Sequence, residues 1–159
     1  REDVVKKTAL GGNVDSDKFL QFVEQAQDTY ILDLLGTKLY DKIVDLVNAG
    51  NLTGNYLTLV NEYIKPMLIH YSVSEFLPFL GYTIANGGIY KHRSENGDVA
   101  SREDIGYLAN KSLQKAKHYT DRYLKFMNYN APNMFPEYYN NVNDDTYPSK
   151  DSNKSSWVL

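Results

Sequence analysis

Between Tyr56 and Leu80 the chain reads YLTLVNEYIKPMLIHYSVSEFLPFL, its longest stretch of periodic apolar residues and one that lies near the middle. Val60, Ile64, Met67, Tyr71, Ser74 and Pro78 recur at intervals of three or four, and Leu57, Tyr63, Leu68 and Leu77 widen the stripe. A helix here has a broad face to bury, so other elements must wrap around it. Pro66 has no amide hydrogen for the carbonyl of Glu62 and its ring crowds that turn, so the helix is expected to kink or break near Lys65. A span of about 21 residues, roughly 30 Å, approaches the thickness of a bilayer core. Glu62, Lys65, Glu75, His70 and the interior proline argue against hydrocarbon surroundings.

Size and composition point to one domain with one core, since 42% of the 159 residues are hydrophobic and 23% charged. A formal charge of -3 provides no global attraction to nucleic acid or to an anionic membrane. The absence of cysteine excludes a disulfide scaffold, a thiolate nucleophile and a cysteine-based zinc site. No signal peptide or spanning segment is visible, which makes a soluble, intracellular protein the expectation, and Arg1 in place of a methionine is consistent with removal of N-terminal residues. Fourteen tyrosines against one tryptophan suit surfaces that are dry in one state and wet in another.

Upstream of the central segment, Gly11-Gly12-Asn13 interrupts the chain, and Asp15 or Ser16 is placed to cap a helix with Phe19, Phe22, Val23 and Ala26 on one face. The run Tyr30 to Leu35 closes at Gly36, a fitting left-handed helix end. Thr37 is expected to cap a helix over Leu39 to Ala49, which Gly50 terminates. After Gly81 the period shifts towards two, and Asn86-Gly87 between short alternating runs predicts a small two-stranded hairpin near 82–91. Such a hairpin is barely stable alone, so it must lie on the helices or pair with another chain.

Ser101 and Asp104 form a capping box that opens a second long helix, running to about Asn128 with Ile105, Leu108, Ser112, Ala116, Tyr119, Tyr123 and Phe126 as its buried line. On its other face Lys111, Lys115, His118, Arg122 and Lys125 are spaced four, three, four and three. This stripe is either a solvated face, a phosphate-binding track or an ionic seam. The seam is the better of the two functional readings, because the stripe lacks evident aromatic stacking partners and the chain is not basic. Asp17, Glu24, Asp28, Asp41 and Asp45 supply an acidic face for it on another subunit. Acid at one end and base at the other favour head-to-tail contacts, the kind that close into rings.

From Asn130 onward the chain carries three prolines and many Asn, Asp and Ser, with isolated anchors at Phe135, Tyr138, Tyr139, Tyr147, Trp157 and the terminal Leu159. Alone, such a segment is expected to be disordered. Ordering about 20 such residues costs on the order of 20 to 40 kcal/mol in backbone entropy, so another subunit is expected to hold these anchors. The architecture expected is mainly α: a compact helical bundle with a kinked central helix, a second long helix, a small β-hairpin and an extended C-terminal tail. Residues 1–130 form the helical domain and 131–159 the arm.

No phosphate-binding glycine loop, glycine-flanked serine or paired metal motif is present, and no metal or other cofactor is expected. His70, His92 and His118 lie far apart, and His70 on an apolar helix reads as a hydrogen-bonded core residue. Glu62 and Glu75 are too distant along the helix to act as an acid-base pair. An enzyme is not expected.

The order of three motifs, Leu34-Leu35-Gly36-Thr37-Lys38-Leu39-Tyr40, Gly50-Asn51-Leu52-Thr53-Gly54-Asn55-Tyr56 and Tyr63-Ile64-Lys65-Pro66 running to Phe76-Leu77-Pro78-Phe79, resembles the small head-to-tail connector proteins of tailed bacteriophages, most of all those of the crAss-like phages of Bacteroides. The resemblance covers roughly residues 10–139. It implies a virion structural protein made in the bacterial cytoplasm, a neck-ring or head-completion subunit. Several copies, commonly twelve, would form a ring beneath the portal protein, meet further neck or tail proteins, and continue the channel through which DNA passes without sequence-specific binding. It carries over no catalytic residues. Two other classes stay open: a cellular helical protein-binding module, and a nucleic-acid-binding protein that uses the basic stripe.

Overall fold

The structure is a computed structural model and describes residues 7–8, 16–80, 82–85, 88–91, 100–140 and 145–151. It is mainly helical. The first helical path comprises α1 (Ser16–Ala26), a π turn (Gln27–Ile31) and α2 (Leu32–Leu35). Buried residues on it fall at Phe19, Phe22, Ala26, Ile31, Leu34 and Leu35. The step from Ala26 to Ile31 is five residues where an α turn would take three or four. One π turn, bonding i to i+5, keeps Ile31 on the core side.

Gly36 separates α2 from α3 (Thr37–Asn48) with φ 73° and ψ 157°, a conformation that side chains with a Cβ rarely adopt. Gly50, at φ 67°, ends α3 in a Schellman arrangement in which the amide of Asn51 donates to the carbonyl of Leu46 and that of Gly50 to Val47. Thr37 does not cap α3 with its side chain. It is the first helical residue, and its polar groups are used by the C-terminal segment, as described below.

The central helix is also interrupted. It runs as α4 (Gly54–Leu59), a second π turn (Val60–Ile64), α5 (Lys65–Phe76) and a 3-10 turn (Leu77–Phe79). The irregularity expected at Lys65 is thus a widened turn just before the proline, which itself sits in the first turn of α5, where a missing amide hydrogen is tolerated. The widening changes which residues are buried. Leu59 is fully enclosed and Val60 only half-buried, followed by Ile64, Met67 and Tyr71. The expected stripe began at Val60 because it assumed a regular α repeat.

The second long helix, α6, spans Arg102–Met134. The capping box is formed: the amide of Asp104 donates to Ser101 Oγ at 3.1 Å, and the amide of Ser101 to Asp104 Oδ2 at 3.0 Å. The Ser101 hydroxyl also donates to Asp104 Oδ2 at 2.7 Å, and this bond, with that from the Ser101 amide, holds the Asp104 carboxyl below its ordinary pKa. The helix continues past Asn128 and through Pro132, so the expected domain boundary at 130 falls inside it. Ala131, Met127, Tyr123, Thr120 and Ala116 are buried in one line, and this burial outweighs the cost of a proline in the last turns. Leu108, expected in that line, is half exposed.

The α6 helix lies along α5. Tyr63 stacks on Phe126 with centroids 4.2 Å apart, and the Tyr71 and Thr120 hydroxyls lie 3.0 Å apart in a hydrogen bond. On another side of α5, Phe19 and Phe22 meet Phe76 edge-on at 5.2 and 5.3 Å, which fixes α1. Strands β1 (Tyr82–Ala85) and β2 (Gly88–Lys91) pair antiparallel, with Ile84 opposite Ile89. The turn residues Asn86 and Gly87 lie outside the described residues, as does Asp15.

The expectation for the C-terminal segment needs correction. Phe135 and Tyr138 are not free anchors for another subunit; they are fully buried in this chain's own core, with Phe135 edge-on to Tyr56 at 5.4 Å. Tyr56 donates to Glu137 Oε2 at 2.9 Å. Further on, Thr146 accepts from the amide of Thr37 and donates its own amide to Thr37 Oγ1, both at 3.0 Å, and the amide of Ser149 donates to the Asp33 carbonyl at 2.7 Å. Thr146 and Ser149 are thereby held on their own chain, where they satisfy backbone groups at the α2–α3 junction that a helix terminus leaves open. Tyr139 and Tyr147 remain exposed, and Trp157 and Leu159 lie outside the described residues.

Candidate interaction surfaces

All five residues of the basic stripe, Lys111, Lys115, His118, Arg122 and Lys125, are exposed along α6. The same three-four spacing extends one step in each direction, to Leu108 and to Tyr129, which at 84% is the most exposed large hydrophobic side chain among the described residues. The face is therefore a basic ridge with an apolar residue at each end. It also has the aromatic neighbours that the sequence reading did not find. The Lys111 ammonium sits 5.5 Å from the Tyr107 ring, and the Arg122 guanidinium 4.9 Å from that of Tyr63. Arg122 Nη1 also donates a long hydrogen bond, 3.5 Å, to the carbonyl of Glu62, the group that Pro66 cannot serve. His118 meets Tyr119 edge-on at 5.5 Å.

The acidic residues are likewise exposed. Asp17, Glu24 and Asp28 lie along the first helical path, and Asp41 and Asp45 one turn apart on α3. Asp28 and Asp41 converge on Tyr40. Burial first, and then these two carboxylates, raise the pKa of its phenol.

Beside this acidic edge runs an apolar groove of about 420 Å³. Ile31, Leu35 and Ile43 line it as buried residues, while Val44 and Val47 are 38% and 53% exposed. Both π turns border it, the first through Gln27 and Ile31 and the second through Val60 and Ile64. No sequence signal announced this groove, since it forms where two helices depart from the α repeat.

A smaller pocket of about 240 Å³ is lined by His70, Leu108, Lys111, Ser112 and Lys115 among others. The His70 ring stacks on Tyr119 at 5.6 Å, and its backbone carbonyl accepts from Ser112 Oγ at 3.0 Å. Burial, and then Lys115 and Lys7, lower its pKa, which favours the neutral imidazole. Glu75 accepts from Tyr30 at 2.6 Å, and Tyr30 stacks on Tyr71 at 4.0 Å. Glu75 is thus engaged in packing, far from Glu62. Among the described residues no group of three His, Cys, Asp or Glu could hold a metal ion, and no helix is long and apolar enough to cross a membrane.

No curated protein and no solved structure matches the chain. A family model does, over residues 31–147, which takes in α3, the central helix, α6 and the segment that returns to Thr37; the chain belongs to DUF6712, a family of unknown function.

Proposed function

We propose that this chain is a virion structural protein, a subunit of an oligomeric ring in the neck of a tailed bacteriophage. The ring joins the portal protein to the tail and continues the DNA channel. The observation that carries this reading is the pairing, on one chain, of an exposed basic ridge on α6 with an exposed acidic edge on α1 and α3. Opposite charges on different elements of one subunit suit repeated head-to-tail contacts and disfavour a symmetric dimer. The ordered connector-like motifs between Leu34 and Phe79 support the same reading.

In this role the subunit meets copies of itself in a twelvefold ring, the portal, and further neck or tail proteins. The hairpin of β1 and β2 and the exposed Tyr139 and Tyr147 are contacts towards those neighbours. DNA slides past without sequence-specific binding, as a mildly acidic subunit would favour. Electron microscopy of the full chain mixed with the portal of its phage tests this. The expected result is a ring stacked on the portal; a bare portal beside monomeric protein overturns it.

The aromatic rings beside Lys111 and Arg122 favour one second reading, a nucleic-acid-binding ridge. It requires DNA affinity that falls steeply with salt and is lost in a Lys115→Glu, Arg122→Glu variant that remains folded.

A further inference from the structure

The groove between α3 and the two π turns is apolar, faces outward and has an acidic edge. Two separate observations mark it as more than a packing gap. The first is its borders. π turns are rare and are retained mostly where a local shape is needed, and both of those among the described residues line this one groove. The second is the charge beside it. Lys65 is the charged residue in the lining, and the carboxylates stand next to lining residues: Asp41 and Asp45 follow Tyr40 and Val44 on α3, and Asp28 follows Gln27.

The chain itself carries the complement. At the C-terminal end of the ridge, Tyr129 projects as an exposed aromatic one turn beyond Lys125 and two beyond Arg122. Tyrosine fills such a groove at low entropic cost and is enriched among residues that dominate binding. Asp41 and Asp45 lie four residues apart, about 6 Å along the axis, and Arg122 and Lys125 three residues apart, about 4.5 Å, a difference that the long basic side chains can span.

A subunit cannot insert its own ridge into its own groove. The stack of Phe126 on Tyr63 and the bond between Thr120 and Tyr71 hold α6 to the central helix, with Tyr123 and Met127 enclosed beneath. The groove is lined by other residues of that helix, Val60, Ile64 and Leu68.

We infer that the groove is a docking site for a second copy of this chain, which enters with Tyr129 while its Lys125 and Arg122 meet Asp45 and Asp41. The contact is head-to-tail, so each copy offers one groove and one ridge. The inference rests on the ring reading above and gives it a defined subunit interface.

The test replaces Tyr129 of the full chain with the photo-crosslinking residue benzoylphenylalanine. Isotopically light and heavy copies are mixed and irradiated, both alone at high concentration and after assembly on the portal. The expected result is mixed-isotope links from position 129 to the peptides of 37–48 or 54–68. Val44→Glu abolishes them. Lys125→Glu weakens association tenfold or more, and adding Asp45→Lys to the same chain restores it. Val44, Lys125 and Asp45 are exposed enough that circular dichroism and melting should show folded variants.

Links confined to one chain, links to peptides outside the groove, links to the portal, or full association of the Val44→Glu variant overturn the docking site. If that variant still forms rings on the portal, the ring reading stands and only the interface falls. Mixed-isotope links in the groove without any ring on the portal sustain the interface and remove the ring reading. If wild type gives neither, both fall.

Discussion

Thr37 and Thr146, 109 residues apart, exchange two hydrogen bonds of 3.0 Å, amide to carbonyl in one direction and amide to hydroxyl in the other. The first turn of α3 thereby obtains an acceptor for a terminal amide, and the C-terminal segment obtains a fixed point. Replacing Thr37 with Ala removes one bond, at a cost of about 1 kcal/mol. Thr37→Ser should retain most of it. Hydrogen exchange at the Thr146 amide checks this: protection should fall in the alanine variant and persist in the serine variant.

Phe135 and Tyr147 lie twelve residues apart in the same segment and have opposite fates. Phe135→Ala in the isolated chain should cost about 3–5 kcal/mol, because it empties a fully enclosed site against Tyr56 and Phe126. Tyr147→Ala should change stability by less than about 0.5 kcal/mol. Urea denaturation of the two variants gives the comparison, and equal midpoints would show that Phe135 is held by something other than this core.

The tyrosines make stability sensitive to alkali. Burial is the main cause that raises the phenols of Tyr71 and Tyr123, and it raises that of Tyr138 to about 12; burial and then the bond to Glu137 raise Tyr56 to about 12. A group whose folded pKa is raised contributes stability fully below its ordinary value, near 10, and loses it as pH climbs towards the folded value. Denaturant midpoints should therefore hold steady at neutral pH and decline between about pH 10 and 12. Tyr56→Phe should make that decline shallower.

The capping box, the breaks at Gly36 and Gly50 and the exposed basic line were all legible, because each depends on residue type at a fixed short spacing. Regular periodicity failed where the backbone itself was irregular. Ala26 and Ile31, like Leu59 and Ile64, are five apart and both buried. A reader who expects steps of three and four assigns Val60 to the core. The return of Phe135 and Tyr138 to the core was hidden for another reason. Their prolines and asparagines describe a segment weak in local preference, and only the surface provided by Tyr56, Phe126 and Thr37 orders it. The groove was invisible because it is the product of both irregular turns together.

Those turns can be tested directly. Deleting the exposed Asn61 shortens the five-residue step from Leu59 to Ile64 to four, which an α turn can span. Deleting the equally exposed Asp121 from the regular stretch of α6 rotates Tyr123, Met127 and Ala131 by about 100° away from the core. Calorimetry should show a cooperative transition for the first variant, lowered modestly, and its loss for the second.

The two widened turns also act as a vernier. In a uniform helix every residue added or removed turns the whole of one end relative to the other, so length and orientation are locked together. Where one turn already carries a surplus residue, that lock is released at a single place. The segments on either side, Phe19 to Ala26 and Leu32 to Leu35 in one case, Gly54 to Leu59 and Lys65 to Phe76 in the other, can each keep their own footing while the step between them changes by one residue. Descendants of such a chain are free to alter the width of the groove without re-tailoring the core beneath it.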